Sequence, residues 1–274
     1  MLWHKIQGAG GVGNGGSFGD LSTATVVQTL DISSYTNSTR WGMALSADGT
    51  KLFSQLSTNE VVQCFEFSTP YDLSSYVGGT PPSIALSRQG NARGIYVTPD
   101  GTKLFSADDS INVVWEYSFS TAFDITTLNA SSSSTTYSIG NSSVRAPMFT
   151  NGGANFYNSD TVGTDNIHYV LNDPTPYSPP SSGYSSQTFG SNNNNNYGGI
   201  LFQPDGLSCY VIDDDFPRVI RRFVLSTPWD ISSYSDPSDN YANNEAFSYD
   251  ISSNGKFIFF HLDNTIYKLA LGAL

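Results

Sequence analysis

Short apolar runs separated by polar turns recur along the whole chain, and one turn string marks each repeat. The string ends a small-apolar run with Asp-Gly or Asn-Gly and then starts an alternating run. Its copies are SADGTKLF at Gly49, TPDGTKLF at Gly101, QPDGLSCY at Gly206, SSNGKFIF at Gly255 and the degenerate TNGGANFY at Gly153. Asp-Gly and Asn-Gly favour tight hairpins because both residues tolerate positive φ. The pattern therefore predicts one hairpin about every 50 residues.

A second string follows the first in most copies and stays in phase with it. Its copies are STPYDLSSY (Ser68 to Tyr76), STAFDITTL (Ser120 to Leu128), STPWDISSY (Ser226 to Tyr234) and a distorted third copy, NDPTPYSPP (Asn172 to Pro180). Each unit is predicted to hold strands a and b around the Asp-Gly turn, a strand c, and a more polar outer strand d. A four-stranded meander repeated at this period is the pattern of a β-propeller blade.

The two ends of the chain predict how the ring closes. The last unit stops after strand c, whereas a lone string, TLDISSYT (Thr29 to Thr36), precedes the first strand a. The N-terminal segment can therefore supply the missing outer strand of the last blade. We expect an all-β, five-bladed propeller of four-stranded blades; an open solenoid or a sandwich pair is the alternative, and an open array would leave unpaired edges.

Composition narrows the class of protein. The chain has 274 residues, of which 13% are charged, and a net charge of −12. It is apolar enough to fold, and its negative field argues against binding phosphate backbones or anionic membranes. No run of about 18 apolar residues predicts a membrane span, and the N-terminus lacks the apolar region of a secretory signal. The sequence thus predicts synthesis in a cytoplasm, with no nucleic-acid partner and no membrane insertion.

The two cysteines test the predicted register. Cys64 falls in strand c of the first blade and Cys209 in strand b of the fourth, and these blades are not neighbours in a five-bladed ring. We therefore expect two free, packed thiols, since a bond between them would contradict the ring. Two cysteines and three scattered histidines also match no zinc motif, so no metal or other cofactor is expected.

The starts of the innermost strands hold the candidate ligand-binding residues. In a propeller these starts share one face, and here they carry Arg40, Trp41, Arg93, Arg145, Tyr197 and Glu245. Arginine suits carboxylates and phosphates, while Trp and Tyr suit sugar faces. One interpretation is a pocket for an acidic saccharide or a carboxylate; the other is that the arginines pair with nearby carboxylates and carbonyls and fill the channel. The small residues that follow, Gly42, Gly94, Ala146, Gly199 and Ala246, are predicted to allow crowded packing.

Acidic clusters fall in the predicted b–c turns, at Asp108-Asp109, Asp160, Asp213 to Asp215 and Asp263. Oxygen-rich loops can bind calcium, but none matches a known calcium-loop spacing, and a solvated turn is the simpler interpretation. A glycosidase needs two carboxylates across a sugar, and only Glu245 is predicted on an inner strand near the axis. No serine or cysteine nucleophile motif occurs. The sequence predicts a protein that is not an enzyme.

The strings PDGTKLF and STPWDISSY, in this order at this period, resemble the repeats of virion-associated propeller proteins of bacteriophages and marine viruses. The resemblance covers Thr23 to Leu274, and IQGAGGVGNGG is similar to the glycine-rich N-terminal segment that such proteins often carry. It implies a virion structural protein on the particle surface, tail- or fibre-associated or a capsid decoration, used for attachment or host-surface contact. A lectin-like propeller that binds host-surface glycans is the alternative, and a glycosidase is a third.

The resemblance divides the chain into an arm, residues 1–22, and a propeller, residues 23–274. GAGGVGNGG lacks the Gly-Lys-Ser/Thr ending of a phosphate-binding loop, and no helix pattern follows it. We expect Trp3 and Ile6 to anchor the arm on other virion proteins, with Gly8, Gly10 and Gly11 permitting close backbone approach. A disordered terminus is the alternative.

Overall fold

The computed structural model of the protein describes residues 18–35, 40–56, 60–87, 90–131, 135–138, 144–159, 167–179, 184–187, 197–213, 219–235, 239–242 and 248–273. They form five four-stranded antiparallel sheets, which are the five blades of a β-propeller. The fold class predicted from the repeat is therefore confirmed. None of the described helices is long and apolar enough to cross a membrane.

Each of the first four blades is a consecutive meander of strands a, b, c and d. Blade 1 contains β2 (Arg40–Leu45), β3 (Lys51–Leu56), β4 (Val61–Glu66) and β5 (Ser83–Ala85). Blade 2 contains β6 (Ala92–Val97), β7 (Lys103–Asp108), β8 (Val113–Ser118) and β9 (Thr135–Ser138). Blade 3 contains β10 (Arg145–Thr150), β11 (Asn155–Ser159), β12 (Ile167–Val170) and β13 (Ser185–Gln187). Blade 4 contains β14 (Tyr197–Phe202), β15 (Ser208–Asp213), β16 (Val219–Val224) and β17 (Asp239–Ala242).

Blade 5 joins the two ends of the chain. It contains β18 (Ser248–Ile251), β19 (Phe257–Leu262), β20 (Thr265–Ala273) and, as its outer strand, β1 (Phe18–Asp31). The strand β1 is antiparallel to β20, from Phe18 opposite Ala273 to Asp31 opposite Thr265. The predicted closure by an N-terminal outer strand is thus confirmed. The ordered strand also begins at Phe18, within the segment assigned to the arm.

Four 3₁₀ turns accompany the strands. Three follow strand c, at Leu73–Ser75, Ile125–Thr127 and Ile231–Ser233, and the fourth, Asn151–Gly153, lies between β10 and β11. An aspartate precedes each of the first three and accepts a hydrogen bond from a backbone N–H two residues later, as Asp72 does from Ser74. This is the usual capping role of aspartate at a helix start. It explains why the second string repeats an Asp at a fixed place.

The two repeated strings pack against each other. The aromatic residue before this Asp has positive φ, as does Tyr177 before Ser178 in the degenerate third copy. Its ring lies on the turn glycine of the same blade. The pairs are Tyr71 on Gly49, Phe123 on Gly101, Tyr177 on Gly153 and Trp229 on Gly206. A Cβ on Gly101 would lie 2.4 Å from the Phe123 ring, so only glycine fits. This contact gives a physical reason for the constant phase of the two strings.

The N-terminal copy of the second string behaves differently. In blades 1 to 4 the string precedes the outer strand, whereas TLDISSY lies at the end of β1 and continues towards β2. Its Ile32 is fully buried with Met43 and Phe65 between blades 5 and 1. Gly255 therefore has no aromatic cover, and Gln203 and Pro204 of the preceding blade lie against it instead.

The strand ends define two faces of the ring. We call the end with the Asp-Gly turns, at Gly49, Gly101, Gly206 and Gly255, the turn face. The opposite end, where β2, β6 and β10 begin, is the arginine face. Because β1 is antiparallel to β20, it starts at the turn face and ends at the arginine face.

Packing between blades supplies the core. Cys64 and Trp115 belong to a cluster shared by blades 1 and 2, and Cys209 to one shared by blades 3 and 4. Both thiols are free and buried, which confirms the prediction from the register. Burial raises the pKa of Cys64 to about 12 and that of Cys209 further. Trp115 and Trp229 pack in these clusters.

The innermost strands touch their neighbours all round the ring. A Cβ on Gly42 would lie 2.9 Å from the Ile95 nitrogen, and one on Gly94 would lie 2.7 Å from the Ala146 backbone. One on Gly199 would lie 3.0 Å from Ala146 Cβ. Side chains at these glycines would separate the blades, which confirms the packing interpretation for them; Ala246 lies outside the described residues.

Candidate functional site on the arginine face

Trp41, Arg93 and Arg145 come together on the arginine face. Each stands the same number of residues before the turn glycine of its blade, so equivalent positions of three successive inner strands meet. The Arg93 guanidinium carbon lies 3.9 Å from the centre of the Trp41 ring. A cation over an indole face at this distance is a favourable cation–π contact.

Asp109 connects the two arginines. Its Oδ2 lies 3.3 Å from Arg93 Nε and 3.9 Å from Arg145 Nη2. The three side chains are 14 to 17% exposed, so the cluster is partly shielded from water but can be reached from this face. Two guanidinium groups thus lie near one carboxylate on this face, in a chain of net charge −12.

The neighbouring Asp108 has a structural role. Its Oδ2 accepts a hydrogen bond from Gly90 N, and its Oδ1 accepts two from the backbone and side chain of Ser110. Of these two neighbouring aspartates, Asp108 closes a turn and Asp109 forms the ion pair with the arginines. Among the described residues no three His, Cys, Asp or Glu side chains are grouped closely enough to hold a metal ion.

Arg40 does not join this cluster. It stands one residue earlier relative to its turn glycine, and successive residues of a strand point to opposite sides. The equivalent positions in blades 2 and 3 are the fully buried Ala92 and Val144. Arg40 is accordingly 1% exposed, with its guanidinium 5.7 Å from the centre of the Phe65 ring. Of the three arginines expected to converge, the structure brings together two.

A buried hydrogen-bond chain surrounds Arg40. Its Nη1 donates to Ser54 Oγ at 2.8 Å, and that oxygen lies 3.5 Å from His261 Nε2. His261 Nδ1 lies 2.7 Å from Ser248 Oγ. Burial and the nearby charge of Arg40 hold the pKa of His261 well below its usual value, so the imidazole is neutral. Burial also lowers the pKa of Arg40 to about 10.

The remaining sequence candidates are placed only in part. Tyr197 begins β14, and its backbone is paired with Asp213. The other six lie outside the described residues, namely Glu245 and the arm residues Trp3, Ile6, Gly8, Gly10 and Gly11.

The sequence reasoning missed Asp250, an acidic residue on an inner strand. It lies in β18, and its carboxylate accepts hydrogen bonds from Leu45 N of blade 1 at 2.6 Å and from Ile251 N at 2.7 Å. Desolvation by the surrounding protein raises its pKa to about 7. The sequence does contain a signal for this residue, because Asp250 is the one charged residue at this position of the repeat. The equivalent residues of the other blades are Ala44, Tyr96, Met148 and Leu201. Among the described inner strands Asp250 is the one acidic residue, and the predicted Glu245 lies outside the described residues.

Comparison with known proteins supports the fold. No protein-family model matches the chain, and no curated protein sequence does. The chain is similar to the crystal structure of Myxococcus xanthus glutaminyl cyclase, with a TM-score of 0.59, 11% identity, and coverage of 92% of this chain and 97% of that one. At this identity the likeness shows the fold alone.

Two further solved structures are similar at lower scores. A chain of the nidogen/laminin complex has a TM-score of 0.49 at 15% identity, with 82% of this chain and 72% of that chain covered. A chain of the mitotic checkpoint complex has a TM-score of 0.46 at 13% identity, with 83% of this chain covered. The chain spans 60% of the length of that last one.

Proposed function

We propose that the chain is a non-catalytic structural protein of a phage virion, displayed on the particle surface as a tail- or fibre-associated protein or a capsid decoration. Its N-terminal residues bind other virion proteins, and its arginine face points away from the particle towards the host surface. The resemblance of the repeats motivates the virion assignment, and the direction of β1 supports the orientation.

The observation that carries this proposal is where the N-terminal residues meet the ring. Phe18 begins the outermost strand of blade 5 opposite Ala273, at the turn face. The arginine face lies at the other end of β20, whose nine residues extend about 27 Å. Attachment through residues 1–17 therefore starts from the turn-face side of the rim, at the opposite end of β20 from the arginine face.

Mass spectrometry of purified particles tests the proposal. The chain is expected in the particles at a fixed stoichiometry, and its absence from them would overturn the virion role. A variant lacking residues 1–17 is expected to fold and to be missing from the particles. The cut must follow Ser17, because Gly19 O accepts a hydrogen bond from Tyr210 and Leu21 is 1% exposed in the core. Normal incorporation of the truncated chain would contradict anchoring by the arm.

The cluster of Trp41, Arg93, Arg145 and Asp109 favours a second function, binding of acidic glycans on the host surface. An indole face with two guanidinium groups suits a sugar that carries a carboxylate. On a glycan array, Arg93→Ala and Arg145→Ala are each expected to lower binding of acidic glycans at least tenfold. Lys103→Ala, on the turn face, is the matched control and should bind like the unaltered chain. Equal binding by all four proteins would remove this second function.

A further inference from the structure

Arg40 is a buried cation whose hydrogen-bonding groups are only partly used. It is 1% exposed, and its Nη1 donates to Ser54 Oγ at 2.8 Å. Its Nε and Nη2 are also buried, and within the part of the chain that the structure describes they have no hydrogen-bond acceptor. Burying a charge whose donors lack acceptors is unfavourable, so a bound partner for these two nitrogens would be favoured.

The two nitrogens lie on the same edge of the guanidinium group. The N–H bonds of Nε and Nη2 are parallel, and this edge donates to both oxygens of one carboxylate or phosphate. Ser54 Oγ accepts a hydrogen bond from the other terminal nitrogen, Nη1. This bond fixes the plane of the guanidinium group and leaves the N–H groups of Nε and Nη2 unblocked. The guanidinium is therefore oriented before any ligand arrives.

The surroundings of Arg40 favour an anion and not a second cation. His261 is neutral because burial and Arg40 lower its pKa, so it adds no charge that competes with Arg40. Within the described ranges no carboxylate forms a salt bridge with Arg40, whereas Arg93 and Arg145 both lie near Asp109. Arg40 also replaces the small apolar residues Ala92 and Val144 of the next two blades, so the repeat itself does not require it.

We propose that Arg40 is a specific binding site for one oxyanion, held by two hydrogen bonds from Nε and Nη2 to two oxygens of a carboxylate or phosphate group. The site is distinct from the Trp41–Arg93–Arg145 cluster and from attachment to a particle. Ser54, backed by His261 and Ser248, is a positioning residue that holds the guanidinium plane. Arg40 and Ser54 of blade 1 lie beside His261 of blade 5, so the site is at the junction where the ring closes.

Titration of the full chain with acetate and with inorganic phosphate, at constant ionic strength, tests this site. The NMR resonance of the Arg40 Nε–H group, identified by its loss in Arg40→Met, is expected to shift and saturate with at least one probe. The Nε–H resonance of Arg222 should not move. No saturable shift of the Arg40 resonance with either probe would overturn the proposal. The tighter probe identifies the ligand as a carboxylate or a phosphate.

Thermal unfolding supplies an independent readout. At about 100 times Kd the bound probe is expected to raise the Tm of the unaltered chain by about 5 °C. Arg40→Met should show no such rise, whereas the control Lys103→Met should show all of it. Arg40→Lys keeps the charge but loses the two-donor edge, so it should bind at least about tenfold more weakly. Unchanged affinity in Arg40→Lys would contradict the two-bond geometry.

The stability of Arg40→Met without any probe separates the proposal from a purely structural role. Removing a buried charge that lacks a partner should leave the Tm equal to or above that of the unaltered chain. With saturating probe the order should reverse, because only the unaltered chain gains from binding. A large loss of Tm in Arg40→Met in anion-free buffer would show that the chain itself satisfies Arg40, and would overturn the site.

Discussion

The two faces of the ring differ in how much of their chemistry repeats. On the turn face, blades 1, 2, 4 and 5 close the Asp-Gly or Asn-Gly turn in the same way, whereas blade 3 has the 3₁₀ turn Asn151–Gly153. The side-chain oxygen of Asp48, Asp100, Asp205 or Asn254 accepts a hydrogen bond from the backbone N–H two residues later, at 2.9 to 3.0 Å. Burial acts to raise the pKa of Asp48 and Asp100, but hydrogen bonds outweigh it and hold both below the usual value.

The arginine face changes from blade to blade. One position carries Trp41, Arg93 and Arg145 in the first three blades, and the preceding position carries Arg40, Ala92 and Val144. Asp109 of the second blade lies between two of these arginines, Arg93 and Arg145. Features that recur in each blade are explained by the fold. Features that occur in one blade are not required by the fold. The arginine face, where such features lie, is therefore the face on which we propose ligand binding.

The largest effect on the free energy of unfolding is expected when a turn glycine is replaced by alanine. Gly101→Ala places a Cβ 2.4 Å from the Phe123 ring at φ +69°, so strain and displacement of the ring add together. We expect a loss of about 3 kcal/mol in the free energy of unfolding. Gly79→Ala is the matched control, because Gly79 has φ +79° with no atom within 4 Å. It should lose about 1 kcal/mol, from strain alone.

Denaturant unfolding of both variants gives this difference. Equal losses would mean that the aromatic cover contributes nothing, and that the turn face is not held by the contact between the two strings.

A smaller effect on the free energy of unfolding, a gain and not a loss, is expected from Asp250→Asn. Its pKa of about 7 in the folded chain exceeds the usual value of 3.8, so the folded state holds the proton more tightly. This contribution to stability is complete below pH 3.8 and is lost as the pH rises through about 7. Asp250→Asn removes that loss, which is about 4 kcal/mol at pH 8. Its amide nitrogen cannot accept from one of the two backbone N–H groups, so we expect a net gain of about 2 kcal/mol over the unaltered chain.

Asp48→Asn on the turn face is the control for Asp250. The pKa of Asp48 is lowered, so its contribution is present above pH 3.8 and is lost only as the pH falls below it. Unfolding measured from pH 3 to pH 8 should therefore give the two variants opposite trends against the unaltered chain. A pH-independent difference for Asp250→Asn would contradict the raised pKa.

The smallest difference is expected between ion pairs on the two faces. Asp109→Asn leaves two neighbouring arginines without their shared carboxylate, and we expect a loss of about 1 kcal/mol. Glu66→Gln breaks the more exposed pair with Lys51, of length 2.6 Å, and should cost less than about 0.5 kcal/mol. Unfolding in low salt measures both. A larger loss for Glu66→Gln would reverse the comparison.

The sequence was sufficient for the fold because the repeat fixes each strand relative to a turn glycine. Counting from that glycine also places Arg40 one residue out of phase with Arg93 and Arg145. The N-terminal TLDISSY string lies much closer to the next strand a than the other copies do. That short distance leaves no room for a further outer strand after it.

The candidate site was less predictable from the sequence. The charge of Asp109 could be read from the sequence, but its position between Arg93 and Arg145 depends on how blades 2 and 3 pack. The burial of Arg40 likewise depends on Ser54, Phe65 and His261, which belong to blades 1 and 5. Contacts between blades are set by packing around the axis, and no local string records them.

The central claim is that the chain attaches at its turn-face side and presents its arginine face. Single-cysteine labelling on intact particles tests this most directly, because Cys64 and Cys209 are buried. Ile111, 55% exposed, lies in the b–c turn of blade 2 at the arginine face, and Leu207, 42% exposed, lies beside Gly206 at the turn face. Both Ile111→Cys and Leu207→Cys should react with a thiol reagent in the free protein. On particles we expect Ile111→Cys to react and Leu207→Cys to be protected; equal labelling, or the reverse pattern, would contradict the account.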